Sequence, residues 1–141
     1  QEQYGNMPIL LTSPKGETLS QEISLELSWG SQKYIIICGH YEWVDARLFD
    51  LFNVRELSIG NYVLSSGEIA SLVIIDSIVR LIPWALSEES LKEESFSKAL
   101  DGKKEYPQYS RPEVFEWHRV PSVLLSGDLK KIQEWKIKNL S

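Results

Sequence analysis

Ser58-Ile59-Gly60-Asn61-Tyr62-Val63-Leu64-Ser65-Ser66-Gly67-Glu68 is the passage on which the fold turns. It starts as a strand, crosses a glycine-containing turn and ends as a helix cap. The segment after it, Glu68 to Ile82, is apolar almost all round, which predicts a buried helix. Pro83 stops that helix, because its ring cannot continue the backbone ladder. Toward the N-terminus, Tyr34 to Cys38 is an apolar, β-branched run of strand length closed by Gly39. Asp45 can cap a short helix over Ala46 to Phe52. Leu19 to Ser28 sets Ile23, Leu25 and Leu27 among Glu and Gln, which reads as a further helix. Pro8 to Leu11 is a short buried strand running into a turn at Ser13-Pro14-Lys15-Gly16. Strand and helix thus alternate over residues 1–86, the pattern of an α/β layer with a parallel sheet. Ligands of such sheets sit beyond the carboxyl ends of the strands. Three turns occupy that place: Thr12 to Gly16, Gly39 to Glu42, and Ser58 to Gly60 with the passage to Gly67.

Beyond residue 86 the pattern breaks down. Ser87 to Glu94 is acidic, and the chain then becomes rich in Tyr and Pro. Residues 87–105 read as a linker and 106–141 as the start of a second unit. Val120 to Leu125 reads as extended. Ser126-Gly127-Asp128 caps a last amphipathic helix in which Leu129, Ile132 and Trp135 share a face.

Composition narrows the class. The chain has 141 residues, 43% hydrophobic and 25% charged, enough for one core or two small pieces. The apolar run Leu72 to Ile75 ends at Asp76, far short of the roughly 20 residues of a membrane span. The opening residues lack the pattern of a secretion signal, and the single Cys38 fits a reducing cytoplasm, where the protein is expected. A net charge of −5 argues against a free-standing nucleic-acid binder, although Lys130 to Lys138 carries four lysines against one glutamate and offers a local basic face. His40, His118 and Cys38 make no metal-ligand spacing, so no metal is expected. With Gln1 first and Met7 the only methionine, the sequence is expected to be part of a longer chain.

Leu11-Thr12-Ser13-Pro14-Lys15-Gly16, Ile37-Cys38-Gly39-His40-Tyr41-Glu42 and the passage Ser58 to Glu68 together resemble the three cofactor loops of the TrmD family of bacterial tRNA (guanine-N1) methyltransferases. They stand in that family's order and at about its spacing. The likeness continues through Ile75-Asp76-Ser77-Ile78-Val79-Arg80-Leu81-Ile82-Pro83, Glu94-Ser95-Phe96, Tyr106-Pro107-Gln108-Tyr109-Ser110-Arg111-Pro112 and Val120-Pro121-Ser122-Val123-Leu124-Leu125-Ser126-Gly127. The resemblance implies an α/β fold of the SPOUT kind: a trefoil-knotted parallel sheet with helices over 1–86, a linker over 87–105, and part of a small helical tRNA-binding domain over 106–141. It implies a homodimer with active sites at the subunit interface. It also implies that the opening strands of the first domain and most of the second lie outside this sequence.

The implied chemistry is methyl transfer from S-adenosyl-L-methionine to N1 of the guanine 3′ of the anticodon in tRNA. By resemblance Thr12, Ser13, Pro14, Gly39, Tyr41, Glu42, Ser58, Ile59, Gly60, Tyr62, Leu64 and Gly67 line the cofactor pocket. On residue type alone the same turns are ordinary βα connections. The leaving proton on guanine needs an acceptor, and the family places an aspartate before the Ser-Phe pair, supplied by the partner subunit. Glu94 stands there, with Glu93 beside it. Arg80 matches an arginine at the reacting centre, where its fixed charge would stabilise negative charge on the guanine oxygen. By itself it also reads as a cation at a helix C-terminus. Tyr109, Arg111, His118 and Arg119 suit unstacked bases and phosphates, and equally suit packing between domains.

The departures are specific. Trp43, Trp84 and Trp117 stand where the family has glycine, Asn61 where it has aspartate, and Ser66 where it has the first of two glycines. One account is a UGA codon read as glycine in the source and rendered as tryptophan, with Trp29 as a fourth candidate. The alternative is a catalytically silent tRNA-binding or subunit-pairing homologue whose pocket is blocked by Trp43.

Overall fold

The computed structural model describes residues 7–31, 33–40 and 44–141, apart from the side chains of 88 and 89. Two compact units divide the chain, Gln1–Leu86 and Ser87–Ser141.

In the first unit β1 (Ile9–Thr18), α1 (Gln21–Gly30), β2 (Ile35–Cys38), α2 (Arg47–Leu51), β3 (Val54–Ser58) and α3 (Gly67–Val79) follow one another. The strands form a parallel sheet in the order β2-β1-β3, with Ile9 opposite Ile35 on one side and Val54 on the other. Ser20 caps α1, its hydroxyl accepting from the Ile23 N–H at 3.3 Å. That fixes the helix so that Ile23, Ser24 and Leu27 turn inward. Leu10 and Leu57 of the sheet, Ile23 and Leu27 of α1, and Ile74 and Ile78 of α3 form the core. Each large aliphatic side chain so buried stabilises the fold by about 1.5–3 kcal/mol.

Two expectations are corrected here. The first strand does not end at Leu11: β1 continues to Thr18, but Thr12 and Glu17 both face Leu57. Residues 13–16 therefore loop out of the strand, and the turn sits inside β1 rather than after it. The helix read as buried is buried on one face only. Ala70, Ser71, Ile74 and Ile78 of α3 are buried, while Ile69 and Leu72 are 59% and 64% exposed and Val73, Ile75 and Val79 are also open. Hydrophobicity all round a helix shows that it avoids water, not that its own chain supplies every partner. β3 lies upstream of the passage that led to it and ends at Ser58, before the glycine turn.

The second unit contains α4 (Glu88–Lys92), a 3₁₀ turn at Lys98–Leu100, the hairpin β4 (Val114–Phe115) and β5 (His118–Arg119), α5 (Ser122–Leu125) and α6 (Leu129–Lys138). Residues 87–105, read as a linker, are folded within this unit. Lys104 and Ser141 exchange two backbone hydrogen bonds, at 2.8 and 3.2 Å. The stretch read as extended is helical over Ser122–Leu125, with Pro121 at its N-cap. Asp128 caps α6 as expected, accepting from the Lys131 N–H at 3.2 Å. Ile132 and Trp135 of the expected face are half-buried, but Leu129 is 82% exposed.

Trp84 has φ 77° and is 99% exposed. A side chain there meets the strain of the left-handed region without packing against anything to offset it. Trp117 is 94% exposed in the turn between β4 and β5, next to Glu116 at φ 52°.

Candidate functional site

A cavity of about 430 Å³ opens at the carboxyl end of the sheet. Its size lies in the range of roughly 300–1,000 Å³ usual for small-molecule sites. The looped-out residues Ser13, Pro14 and Lys15 form one wall, because the four-residue excursion from β1 pushes them past the strand end. Gly39 follows β2, and Ser58 ends β3 with Ile59 and Gly60 after it, so the turns from these strands and the excursion of β1 meet in one place.

The turns are held by short-range bonds. The Thr12 hydroxyl donates to the Ile37 carbonyl at 3.3 Å, linking the ends of β1 and β2. The Ser58 hydroxyl both donates to the Gly60 carbonyl at 3.0 Å and accepts from the Gly60 N–H at 3.2 Å. Gly60 has φ 149°, and a Cβ there would press on the Tyr62 ring. Tyr62 in turn donates its hydroxyl to the Ile59 carbonyl at 3.2 Å. His40 pairs with Ser66 through a backbone bridge and its imidazole contacts Glu68, tying the second loop to the start of α3. The Ser66 hydroxyl, then the backbone at Glu68 and the His40 charge, hold the Glu68 carboxyl below the usual carboxylate range. At Gly67 a Cβ would run into the Thr12 hydroxyl and the Cys38 backbone, so only glycine lets α3 start this close to the sheet.

Of the twelve residues expected to line a cofactor pocket, Thr12, Ser13, Pro14, Gly39, Ser58, Ile59, Gly60, Tyr62, Leu64 and Gly67 line this cavity. Tyr41 and Glu42 lie outside the described residues, as does Trp43, on which the blocked-pocket reading depends. The wall also includes Lys15, Val44, Phe49 and Glu56, none of which was singled out in the sequence. Phe49 carried a usable signal, a large apolar residue in the short helix read over Ala46 to Phe52.

Arg80 and Glu94 are not in this wall. Arg80 caps the far end of α3. That helix has 13 residues, so at about 1.5 Å each its two ends are about 20 Å apart. Glu94 belongs to the second unit. There its neighbour Glu93 is fully engaged: Lys136 Nζ donates to Glu93 Oε2 at 2.8 Å and the Tyr106 hydroxyl donates to the same oxygen at 3.1 Å. Lys136, more than Tyr106, holds the Glu93 carboxyl below the carboxylate range, and Glu93 in return raises Lys136. Among the described residues no group of three His, Cys, Asp or Glu is placed to hold a metal ion, and no helix is long and apolar enough to cross a membrane.

The family described as tRNA (Guanine-1)-methyltransferase TrmD matches residues 2–141. A tRNA (guanine-N(1)-)-methyltransferase of Pelagibacter ubique is 49% identical over 131 residues, 92% of this chain and 55% of that protein. The enzyme of the same name from Clostridioides difficile is 48% identical over 132 residues, 93% of this chain and 55% of its own. That of Treponema denticola is 45% identical over 130 residues, 92% of this chain and 52% of its own. The chain thus spans about half the length of the curated relatives it matches. With the family match running through both units, from residue 2 to residue 141, the chain belongs to the TrmD family of tRNA (guanine-1)-methyltransferases.

Proposed function

We propose that this chain carries the cofactor pocket and the proton-accepting group of an enzyme that methylates N1 of a guanine in tRNA, next to the anticodon, with S-adenosylmethionine as donor. The observation that carries the reading is the convergence of the three loops on one cavity in a chain of this family. The residues fit such a donor. The cavity has nucleoside-scale volume, and the turns that line it, among them Ser13, Gly39 and Gly60, carry backbone N–H and C=O groups able to read an adenine edge. Glycine at 67 lets α3 begin tight against Thr12 and Cys38 at the edge of the cavity. The bound donor supplies an electrophilic methyl group.

The protein's own residues then have three tasks. The loops at Thr12–Pro14, Gly39 and Ser58–Gly60 hold and orient the donor. Glu94 accepts the N1 proton of guanine, an effect worth roughly 10²–10⁴-fold when well placed. Arg80 offsets negative charge on the guanine oxygen.

Arg80 sits about 20 Å along α3 from Gly67, and Glu94 stands in the other unit. A homodimer, with the second copy completing each site, reconciles these positions. The exposed apolar side of α3, with Ile69, Leu72 and Val73, supports such pairing. Membership of the family supports a trefoil knot in the sheet, and a tRNA substrate implies a cytoplasmic enzyme. The relatives carry the enzyme's name, which favours catalysis over a silent homologue.

The test is calorimetric titration of S-adenosylmethionine into the complete protein, as written and with Trp43→Gly. Binding by either version supports the pocket, and binding by the glycine version alone marks residue 43 as a position that needs glycine. Absence of binding by both overturns the pocket assignment.

A further inference from the structure

Two adjacent glutamates, Glu93 and Glu94, precede Ser95-Phe96. Glu93 is gripped from two directions. Lys136, 43 residues away on α6, donates to its carboxylate at 2.8 Å, and Tyr106 donates to the same oxygen at 3.1 Å. The ammonium of Lys136 also lies 4.8 Å above the Tyr106 ring, and that ring packs edge-on to Trp135 with centroids 6.4 Å apart. The two donors are thus fixed to each other as well as to Glu93.

The residues after Glu93 are pinned by the backbone. Ser95 Oγ accepts from the Glu105 N–H at 3.0 Å. The Phe96 N–H donates to the Lys103 carbonyl at 2.8 Å, and Phe96 is held at φ 68°. The Glu94 carbonyl accepts from the Ser97 N–H at 3.1 Å. Glu94 therefore lies between a side-chain anchor on one side and a fixed turn on the other.

We propose that Lys136 and Tyr106 are positioning residues for the methyl transfer: by holding Glu93 they fix the backbone that presents Glu94 to the guanine. This rests on the reading of Glu94 as the proton acceptor. A carboxylate that already receives two donors on one oxygen is a poor base, so Glu93 serves as the anchor. Loss of the clamp leaves Glu94 chemically intact but loosens the backbone that carries it. A displacement on the order of 1 Å at a reacting group costs up to about 10²-fold in rate, and the side-chain stem of the base does not change.

The experiment uses the complete protein with a tRNA transcript and S-adenosylmethionine, comparing Lys136→Met, Lys136→Arg, Glu93→Gln and Glu94→Gln in single-turnover kinetics at saturating substrates. Methionine keeps an aliphatic stem over Tyr106 but donates nothing. The expected result is a roughly 10- to 100-fold slower chemical step for Lys136→Met and Glu93→Gln, with KM for both substrates within about threefold of the parent and most of the rate restored in Lys136→Arg. A parent-like rate in Lys136→Met, with Glu94→Gln inactive, overturns the clamp and keeps the base. A parent-like rate in Glu94→Gln overturns the reading of Glu94 itself. Should Lys136→Met prove unfolded, the charge-exchanged double variant Glu93→Lys with Lys136→Glu decides: a folded protein with a restored rate supports the clamp, and a folded protein with the slow rate overturns it.

Discussion

The two units of this chain are held together by different forces. The first, Gln1–Leu86, closes around Leu10, Leu57, Ile74 and their neighbours, with Leu57 and Ile74 wholly inaccessible. In the second, Leu100 is the one apolar residue buried among those described. Its fold depends instead on Trp135 against Tyr106 and Tyr109, on the Glu93–Lys136 pair and on the backbone pairing of Lys104 with Ser141. Apolar burial does not titrate, whereas the Glu93–Lys136 tie does, and the segment that carries the proposed proton acceptor gains placement from that tie more than stability.

The largest effect separating the units is expected from Ile74→Ala. Truncating that wholly buried side chain should lower stability by about 2–5 kcal/mol, read from the denaturant midpoint. Leu129→Ala, on a residue 82% exposed in the second unit, should stay within about 0.5 kcal/mol. Equal losses from the two would break the comparison.

Next in size is Gly67→Ala. Its Cβ has nowhere to go between Thr12 and Cys38, so α3 must shift at a cost of about 1–3 kcal/mol. Titration with S-adenosylmethionine should show weakened affinity along with the lower midpoint. Unchanged affinity would show that the close approach of α3 does not shape the cavity.

Trp84→Gly should act in the opposite direction. Relief of the strain at φ 77° is worth about 1–2 kcal/mol, and the exposed indole forfeits no packing. A raised midpoint is expected, together with UGA codons for Trp43, Trp84 and Trp117 in the coding DNA. UGG codons at all three sites would end the misreading account.

The smallest effect is the pH response of the clamp. The folded-state value of Glu93 is depressed, by Lys136 first and Tyr106 second. Its contribution is therefore present above the ordinary carboxylate range and lost as pH falls through the folded value. Lys136 is raised, so its contribution holds below the ordinary lysine range and fades as pH rises through its own folded value. Both glutamate and lysine are partly exposed, which limits the pair to under about 1 kcal/mol. Denaturant melts at neutral and acid pH should show this loss in the parent chain and not in Glu93→Gln.

The sequence by itself carried the strand–helix alternation of the first unit, the turn that follows β3 at Ile59 and Gly60, and the Asp128 cap of α6. These are local patterns, written in the spacing of apolar residues and in turn and cap chemistry, and they survive without knowledge of what packs where. The same logic led astray where spacing and partner part company. Val120 to Leu125 looked extended until Pro121 proved to open a helix, and α3 looked buried because its composition does not say which of its faces finds a partner. The excursion of 13–16 out of β1 depends on the register with β3, four elements further along the chain. The engagement of Glu93 depends on a lysine 43 residues on. Only the tertiary structure decided these, because hydrogen bonds and packing between distant segments leave no periodic trace along the chain.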